Sequence, residues 1–437
     1  MVRTVGLAVV AAALIATPGA NASARWTRQA NLPTGQDDPS VPALAFDGRG
    51  AALAAWKTTP IEATGPRTFA TASRLPDRTW ITGPRVRAAR GFSLNSTPAG
   101  RLQLRRSQRR NGCELEVFPV RIGLGGPALG RSFLTQCSRP FSTKAWSRST
   151  YPLGARAAAR VERRRGRRFV VVRRAPPGRP LGRERTVAEV SNRENPSFVE
   201  DVVVNRRGDI AVLWDDGPDL RSRILDAAGV FGPVRTVPYP SGEIEEMNVL
   251  LGARRELLVL YSGYGGDPDA SSDYSFVDVA VPRRSQRRFA PLKSLCLSRT
   301  SVPCSGAGAL TADGRAVVVW TSTSGSTLTT AVLGGRGLTG LRRHAAGPGT
   351  QPEIALAPDG SVLATWELGN GLRAALRRPG AIRFGPTERV LSARASIEST
   401  SVYSVAFDPR ARRFTVVAAV RPKPRGRAEL RVLARRP

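Results

Sequence analysis

The sequence predicts an all-β chain assembled from repeats, and three observations carry that prediction. One short pattern recurs: an apolar run, a turn carrying Gly with Asp, Asn or Arg, a second apolar run, then Trp. It appears as LAFDGRGAALAAW (44–56), VVVNRRGDIAVLW (202–214), GALTADGRAVVVW (308–320) and IALAPDGSVLATW (354–366). Downstream lie further pairs of strand-like segments, at 219–240 and 371–392, separated by Gly, Pro and Asp turns, while the 3.6-residue period of a helix is scarcely visible. The last repeat stops one strand short, and an unassigned strand-like segment, 26–33, precedes the first.

Taken from the N-terminus, Arg3 is followed by an apolar stretch at 5–17 that is short for a bilayer span, then by Pro18 and a run of small residues. Residues 1–24 therefore read as a secretory signal cleaved after Ala22 or Ala24, which places the mature protein outside the cell. No later segment approaches 18 consecutive apolar residues, so no transmembrane segment is expected in the mature chain. The repeat turns fall at residues 50, 100, 154, 208, 255, 314, 360 and 412. The unit at 249–261, VLLGARRELLVLY, ends in Tyr261, and the unit at 404–418, SVAFDPRARRFTVVA, has lost the aromatic residue. NSTPAGRLQLRR around Gly100 and YPLGARAAARV around Gly154 complete the series. Four short strands every 40–55 residues are the signature of a β-propeller blade. The expectation is a single closed propeller over 25–437 with eight four-stranded blades, or seven if the second and third units merge. The N-terminal strand would complete the C-terminal blade and remove two exposed sheet edges.

With a recurring pattern of approximately [DNQ]-P-[SE], a strand, a Gly turn, a strand and Trp, the chain resembles secreted bacterial β-propeller repeat proteins across essentially all of its mature length. It lacks the G-H…W-D dipeptides of WD40 blades. It also departs from the sialidase-type aspartate box, because Asp359 and Gly360 are adjacent and Trp366 lies six residues after the Gly. The resemblance implies architecture rather than activity.

Composition narrows the chemistry. The only histidine, His344, follows two arginines that disfavour its protonation, which excludes Ser-His-Asp chemistry elsewhere and any poly-His metal site. Four cysteines, Cys113, Cys137, Cys296 and Cys304, are an even set with spacings that favour the two local disulfides. Lysine occurs only at 57, 144, 293 and 423, so 63 of the 67 basic residues are Arg, a skew typical of a GC-rich bacterial genome. The net charge of +33 is uneven. Residues 85–185 hold 25 basic and 4 acidic residues, whereas 198–280 hold 7 basic and 15 acidic.

Candidate binding residues sit where each blade's first strand begins, beside a propeller's channel: Asp38, Asn195 and Glu353 in the Pro-containing motifs, with Glu245, Glu246 and Glu398 at other strand entrances. Polar residues before Pro are also ordinary turn formers. Arg105, Arg106, Arg109, Arg110, Arg164 and Arg168 form a candidate polyanion patch, since guanidinium groups hold phosphate or sulfate bidentately. Asp267, Asp269 and Asp273 are spaced like the start of a calcium loop, but the central Gly and the closing Glu are missing. A solvated acidic loop is the simpler reading, with no cofactor and calcium as the alternative. The residues thus point to an extracellular, monomeric, non-enzymatic binding or scaffold module for polyanions or cell-wall glycans, with no specific nucleic acid. The alternative is a carbohydrate-active enzyme, a glycoside hydrolase or lyase using channel-mouth carboxylates.

Overall fold

The structure is a computed structural model. It describes residues 26–435 apart from 33–37, 60–67, 88–90, 97–101, 111–112, 132, 138–146, 151–155, 177–178, 180, 191–198, 206, 218, 253–254, 267–272, 282–288, 300–303, 312–314, 323–325, 335–336, 348–349, 370, 392–402 and 421–428. Every regular element among the described residues is a β-strand, and the strands form eight antiparallel sheets that follow one another along the chain. Six sheets hold four strands. In the first and second, two short strands share the fourth position: Ile81–Thr82 and Val86–Arg87 on Thr68–Arg74, and Gly126–Leu129 and Phe133–Cys137 on Cys113–Gly123.

The eight first strands are Asp38–Phe46, Gly91–Ser96, Ser147–Thr150, Val199–Val204, Glu243–Leu251, Gly306–Leu310, Glu353–Leu356 and Tyr403–Asp408. They pack on one another in chain order from the third sheet to the eighth, and on through the first to the second. The sheets are the blades of a β-propeller.

Each of the eight repeat turns read from the sequence lies between the first and second strand of one sheet. The turn has a common geometry. Asp47 N–H donates to Ala51 O at 2.8 Å and Gly50 N–H to Asp47 O at 3.1 Å, and the same pair of bonds recurs at Asn205–Asp209 and Ala357–Ser361. The last turn residue must be left-handed, which Gly50 (φ 84°) and Gly208 (φ 84°) supply without steric cost, whereas Arg255 (φ 67°) and, in a turn one residue longer, Arg412 (φ 49°) adopt it as L-residues. At Gly50 the requirement is doubled, since a Cβ there would lie 2.5 Å from Arg410 Cβ of the eighth sheet.

The missing strand of the last repeat is the N-terminal one. Thr27–Leu32 pairs antiparallel with Glu429–Arg435, with Leu32 opposite Leu430, and forms the outer edge of the eighth sheet. Leu32 is buried there.

The recurring aromatic residue has one job. Trp214 shares an apolar cluster with Ala157 and Val170 of the third sheet, and Tyr261 with Ala211 and Leu213 of the fourth. Trp320 shares one with Leu258 and Val277 of the fifth sheet, and Trp366 with Val317 and Val319 of the sixth. In each case the ring wedges against the preceding blade. The second, third and eighth sheets carry Arg106, Arg160 and Ala418 at this position.

Arginine also joins the blades. Arg174 donates to the Asp226 and Ala227 carbonyls across the third-to-fourth seam at 3.1 and 2.9 Å, beside Arg185 donating to Gly229 O. Arg255 pairs with Asp209 (3.4 Å) and Asp226 (3.5 Å) from the fifth sheet. Arg342 donates to Phe384 O at 2.8 Å, and Arg435 grips Glu388 with two bonds of 2.6 Å. Part of the positive charge is therefore structural.

Cys296 and Cys304 form a disulfide, with Cα atoms 5.9 Å apart, between the outer strand of the fifth sheet and the connection that leads into the sixth. Cys113 opens the third strand of the second sheet and Cys137 closes its split fourth strand, directly opposite each other. Their sulfur atoms lie outside the described side chains.

Candidate functional site

The fourth sheet carries a cleft lined by carboxylates and a tyrosine. Its second strand, Ile210–Asp216, ends one residue beyond Asp215, turns at Gly217 (φ 80°) and returns as Asp219–Leu225, with Asp216 opposite Asp219. At the same end, the first strand pairs Val199 with Trp214, then shifts register before Asp201. Glu200 is the bulged residue, and a bulge re-aims its side chain. After the outer strand Arg235–Val237, the crossing to the fifth sheet brings in Tyr239, whose ring lies 5.9 Å from that of Tyr261.

Glu200, Asp215, Gly217, Asp219, Leu220 and Tyr239 line a cleft of about 90 Å³. Burial, reinforced by the negative charges of Asp215 and Asp201, pushes the Glu200 carboxyl up to about 7. Burial also raises Asp215, against the Gly217 N–H that stabilises its anion. Asp219 is neutralised by Arg221 at 2.6 Å. Tyr239 is 50% exposed, and burial of its remainder with the nearby Glu200 and Asp215 raises its hydroxyl. Tyr261 is buried and donates to Pro238 O at 3.1 Å. The cleft thus combines a carboxyl that keeps its proton near neutrality, a second carboxylate and half of an aromatic face.

The residues singled out from the sequence are dispersed. Asp38 begins the first strand of the first sheet, opposite Thr59. Glu245 falls at a bulge in the fifth sheet, between Ile244 and Glu246, with Glu246 opposite Ser262. Their side chains, and Asn195 and Glu398 altogether, lie outside the described residues. Glu353 is turned against the eighth sheet. It accepts the Val405 N–H at 2.8 Å and bonds the Ser404 hydroxyl, which itself accepts the Leu44 N–H of the first sheet at 3.3 Å. Burial pushes the Glu353 carboxyl up to about 8.

Arg164 is held by Glu162 (2.8 Å) and Glu184 (2.6 Å), and Arg168 is half-buried opposite Arg163. Arg105, Arg106, Arg109 and Arg110 lie along or at the end of the second strand of the second sheet, Leu102–Arg110, and their side chains are not described. Asp267 and Asp269 are outside the described residues, and Asp273 opens the strand Asp273–Ala280 opposite Gly266. Among the described residues no group of three or more His, Cys, Asp or Glu is placed to hold a metal ion.

His344 is buried against the Trp366 ring (centroids 5.0 Å apart) and lies 2.9 Å from Thr387 Oγ1. Burial, helped by Arg342, lowers it to about 4. The ring is therefore neutral at physiological pH.

Sequence reading missed Glu200, Asp215 and Tyr239. The available signal was the acidic excess over 198–280 and the carboxylates directly after the recurring Trp, in Trp214-Asp215-Asp216.

No protein-family model matches the sequence, and no curated protein matches it. Among solved structures, the chain is similar to the Dos1 propeller (10% identity over 94% of this chain and 95% of that one, TM-score 0.49). It is also similar to the alpha-L-arabinanase of Penicillium chrysogenum (14% identity, 82% and 99%, TM-score 0.39). A third likeness is to the β-propeller domain of the Trilobed protease from Pyrococcus furiosus (11% identity, 78% and 95%, TM-score 0.38). No residue role is carried over from these likenesses.

Proposed function

We propose that the protein is a secreted, closed eight-bladed β-propeller that binds glycans without cleaving them, and that the ligand lies against the fourth-sheet cleft. The cleft itself carries the reading. A protonated Glu200 donates, Asp215 accepts, and the half-exposed Tyr239 offers an apolar face, matching the hydroxyls and C–H face of a sugar. Its volume of about 90 Å³ holds one edge of a sugar, whereas sites that engulf a small ligand run to roughly 300–1,000 Å³. A cleft of this size holds too little of a sugar to position both sides of a glycosidic bond, which favours binding over hydrolysis. The Cys296–Cys304 disulfide and the apolar segment at 5–17 support secretion. Closure of the ring between the second and third blades is part of the proposal.

One observation favours a second reading, a glycoside hydrolase. Glu200 held up to about 7 beside Asp215 is the arrangement of a proton donor and its partner carboxylate. A glycan array combined with a glycosidase screen on wild-type, Glu200→Gln and Tyr239→Ala separates the two. As a binding module, Glu200→Gln keeps the ligand near neutral pH because the amide mimics the protonated acid, Tyr239→Ala loses it, and neither protein releases product. Turnover by wild-type that Glu200→Gln abolishes would establish the hydrolase instead. Wild-type levels of binding in Tyr239→Ala would overturn both.

A further inference from the structure

The blade next to the acidic cleft ends in a hairpin of opposite character. Its strands, Arg156–Arg164 and Arg167–Ala175, are joined by a two-residue turn, Arg165-Gly166, both left-handed (φ 48° and 79°). The matching strands of the fourth sheet are two residues shorter, so the third-sheet arm projects about 7 Å further at roughly 3.3 Å per residue. Five arginines occupy the six residues of its tip, 163–168. The register sets Arg163 opposite Arg168 and Arg164 opposite Arg167, two like-charged cross-strand pairs that repel each other.

The carboxylates nearby are already committed. Glu184 binds Arg160, Arg164 and Arg173 at 3.2, 2.6 and 3.3 Å, Glu162 binds Arg164, and Glu189 lies 3.7 Å from Arg167. These pairs brace the arm. Arg163 and Arg165 remain exposed with no carboxylate partner among the described residues.

We propose that the projecting hairpin at 163–168 is a docking surface for a phosphodiester polymer. Arg163 and Arg165 provide the direct contacts. Planar guanidinium forks match phosphate oxygens in pairs, and a bound polyanion relieves the repulsion built into the tip. The contact is electrostatic and sequence-independent, so it weakens as salt is added. The site lies apart from the fourth-sheet cleft and does not depend on the glycan reading.

The test is binding of poly(glycerol phosphate) and of a 20-base-pair DNA duplex, at 50 and 200 mM salt, to wild-type and to Arg163→Gln/Arg165→Gln. The paired variant Arg378→Gln/Arg383→Gln, two exposed arginines of the seventh sheet, is the control. The substituted pair takes no part in the bracing ion pairs, and an unchanged melting temperature verifies the fold. The double variant is expected to lose at least tenfold in affinity at 50 mM salt and to show a salt slope shallower by about 1–2. The control retains wild-type binding. Loss confined to poly(glycerol phosphate) identifies a wall-type polymer as the partner, and equal loss for DNA identifies any phosphodiester chain. Unchanged binding in the double variant, or equal loss in the control, overturns the proposal. Retained glycan binding in the double variant keeps this outcome separate from the cleft.

Discussion

Replacing Glu353 by Gln removes one buried titrating group while leaving an amide oxygen for the Val405 N–H, 2.8 Å away, and for the Ser404 hydroxyl. Burial raises this carboxyl from 4.5 to about 8. The folded protein therefore holds a proton across a pH range in which the unfolded chain has lost it, so stability falls as pH rises from about 4.5 to about 8. At about 1.4 kcal/mol per unit, the full shift amounts to about 5 kcal/mol at pH 8 as an upper figure. Glu200 titrates in an overlapping window in both proteins and cancels in their difference. Urea unfolding of wild-type and Glu353→Gln at pH 5, 6.5 and 8 measures that difference. The variant should gain on the wild type with each step, by several kcal/mol in all. A difference that stays constant with pH, or that grows in favour of the wild type, would refute the assignment of a buried, proton-holding Glu353.

Three further expectations follow from the packing. Trp214→Ala should cost about 3–5 kcal/mol, whereas Trp214→Phe should cost far less, because the buried indole N–H has no hydrogen-bond partner. Trp366→Phe forfeits a 2.8 Å bond to Ala345 O, worth about 1 kcal/mol, and denaturant titration of the three variants checks the order. Deleting residues 25–34 should lower the melting temperature and speed amide exchange across Glu429–Arg435, since the buried Leu32 alone contributes about 1.5–3 kcal/mol and the strand beneath becomes an edge. Non-reducing peptide mapping should recover Cys113 joined to Cys137, as their opposed positions predict, beside Cys296–Cys304. A peptide linking Cys113 to Cys296 would refute that pairing.

The repeat made the fold legible because five of the eight units carry the same two features at fixed distance. A left-handed turn residue is visible as Gly50, Gly208 or Gly360, and six residues later a ring fills the seam, as Trp56, Trp214 or Trp366. The same offset locates Arg106 and Arg160, where the motif carries no ring. The outer strands were less legible. Ile81–Thr82 and Glu388–Arg389 are two residues long and carry no alternation to detect.

The site was least legible. The Pro motifs drew attention to Asn195 and Glu353, whereas Glu200 becomes prominent through a register shift that only strand pairing reveals. Glu353 was visible as a polar residue at a strand entrance, but its partners, Val405 and Ser404, belong to the next repeat. The arginines posed the same difficulty. Arg174 and Arg342 look like surface charge until the carbonyls of the neighbouring blade are placed beside them.

In the proposed glycan complex a protonated Glu200 of the fourth-sheet cleft donates to the ligand. The most direct test of that contact is calorimetric titration of the oligosaccharide that binds most tightly in the array, between pH 5.5 and 8.5, on wild-type and Glu200→Gln. Wild-type affinity should fall as the pH rises through about 7, by roughly 3–10-fold for the loss of one donated hydrogen bond, while the variant stays flat. The same pH profile in both proteins would contradict the claim.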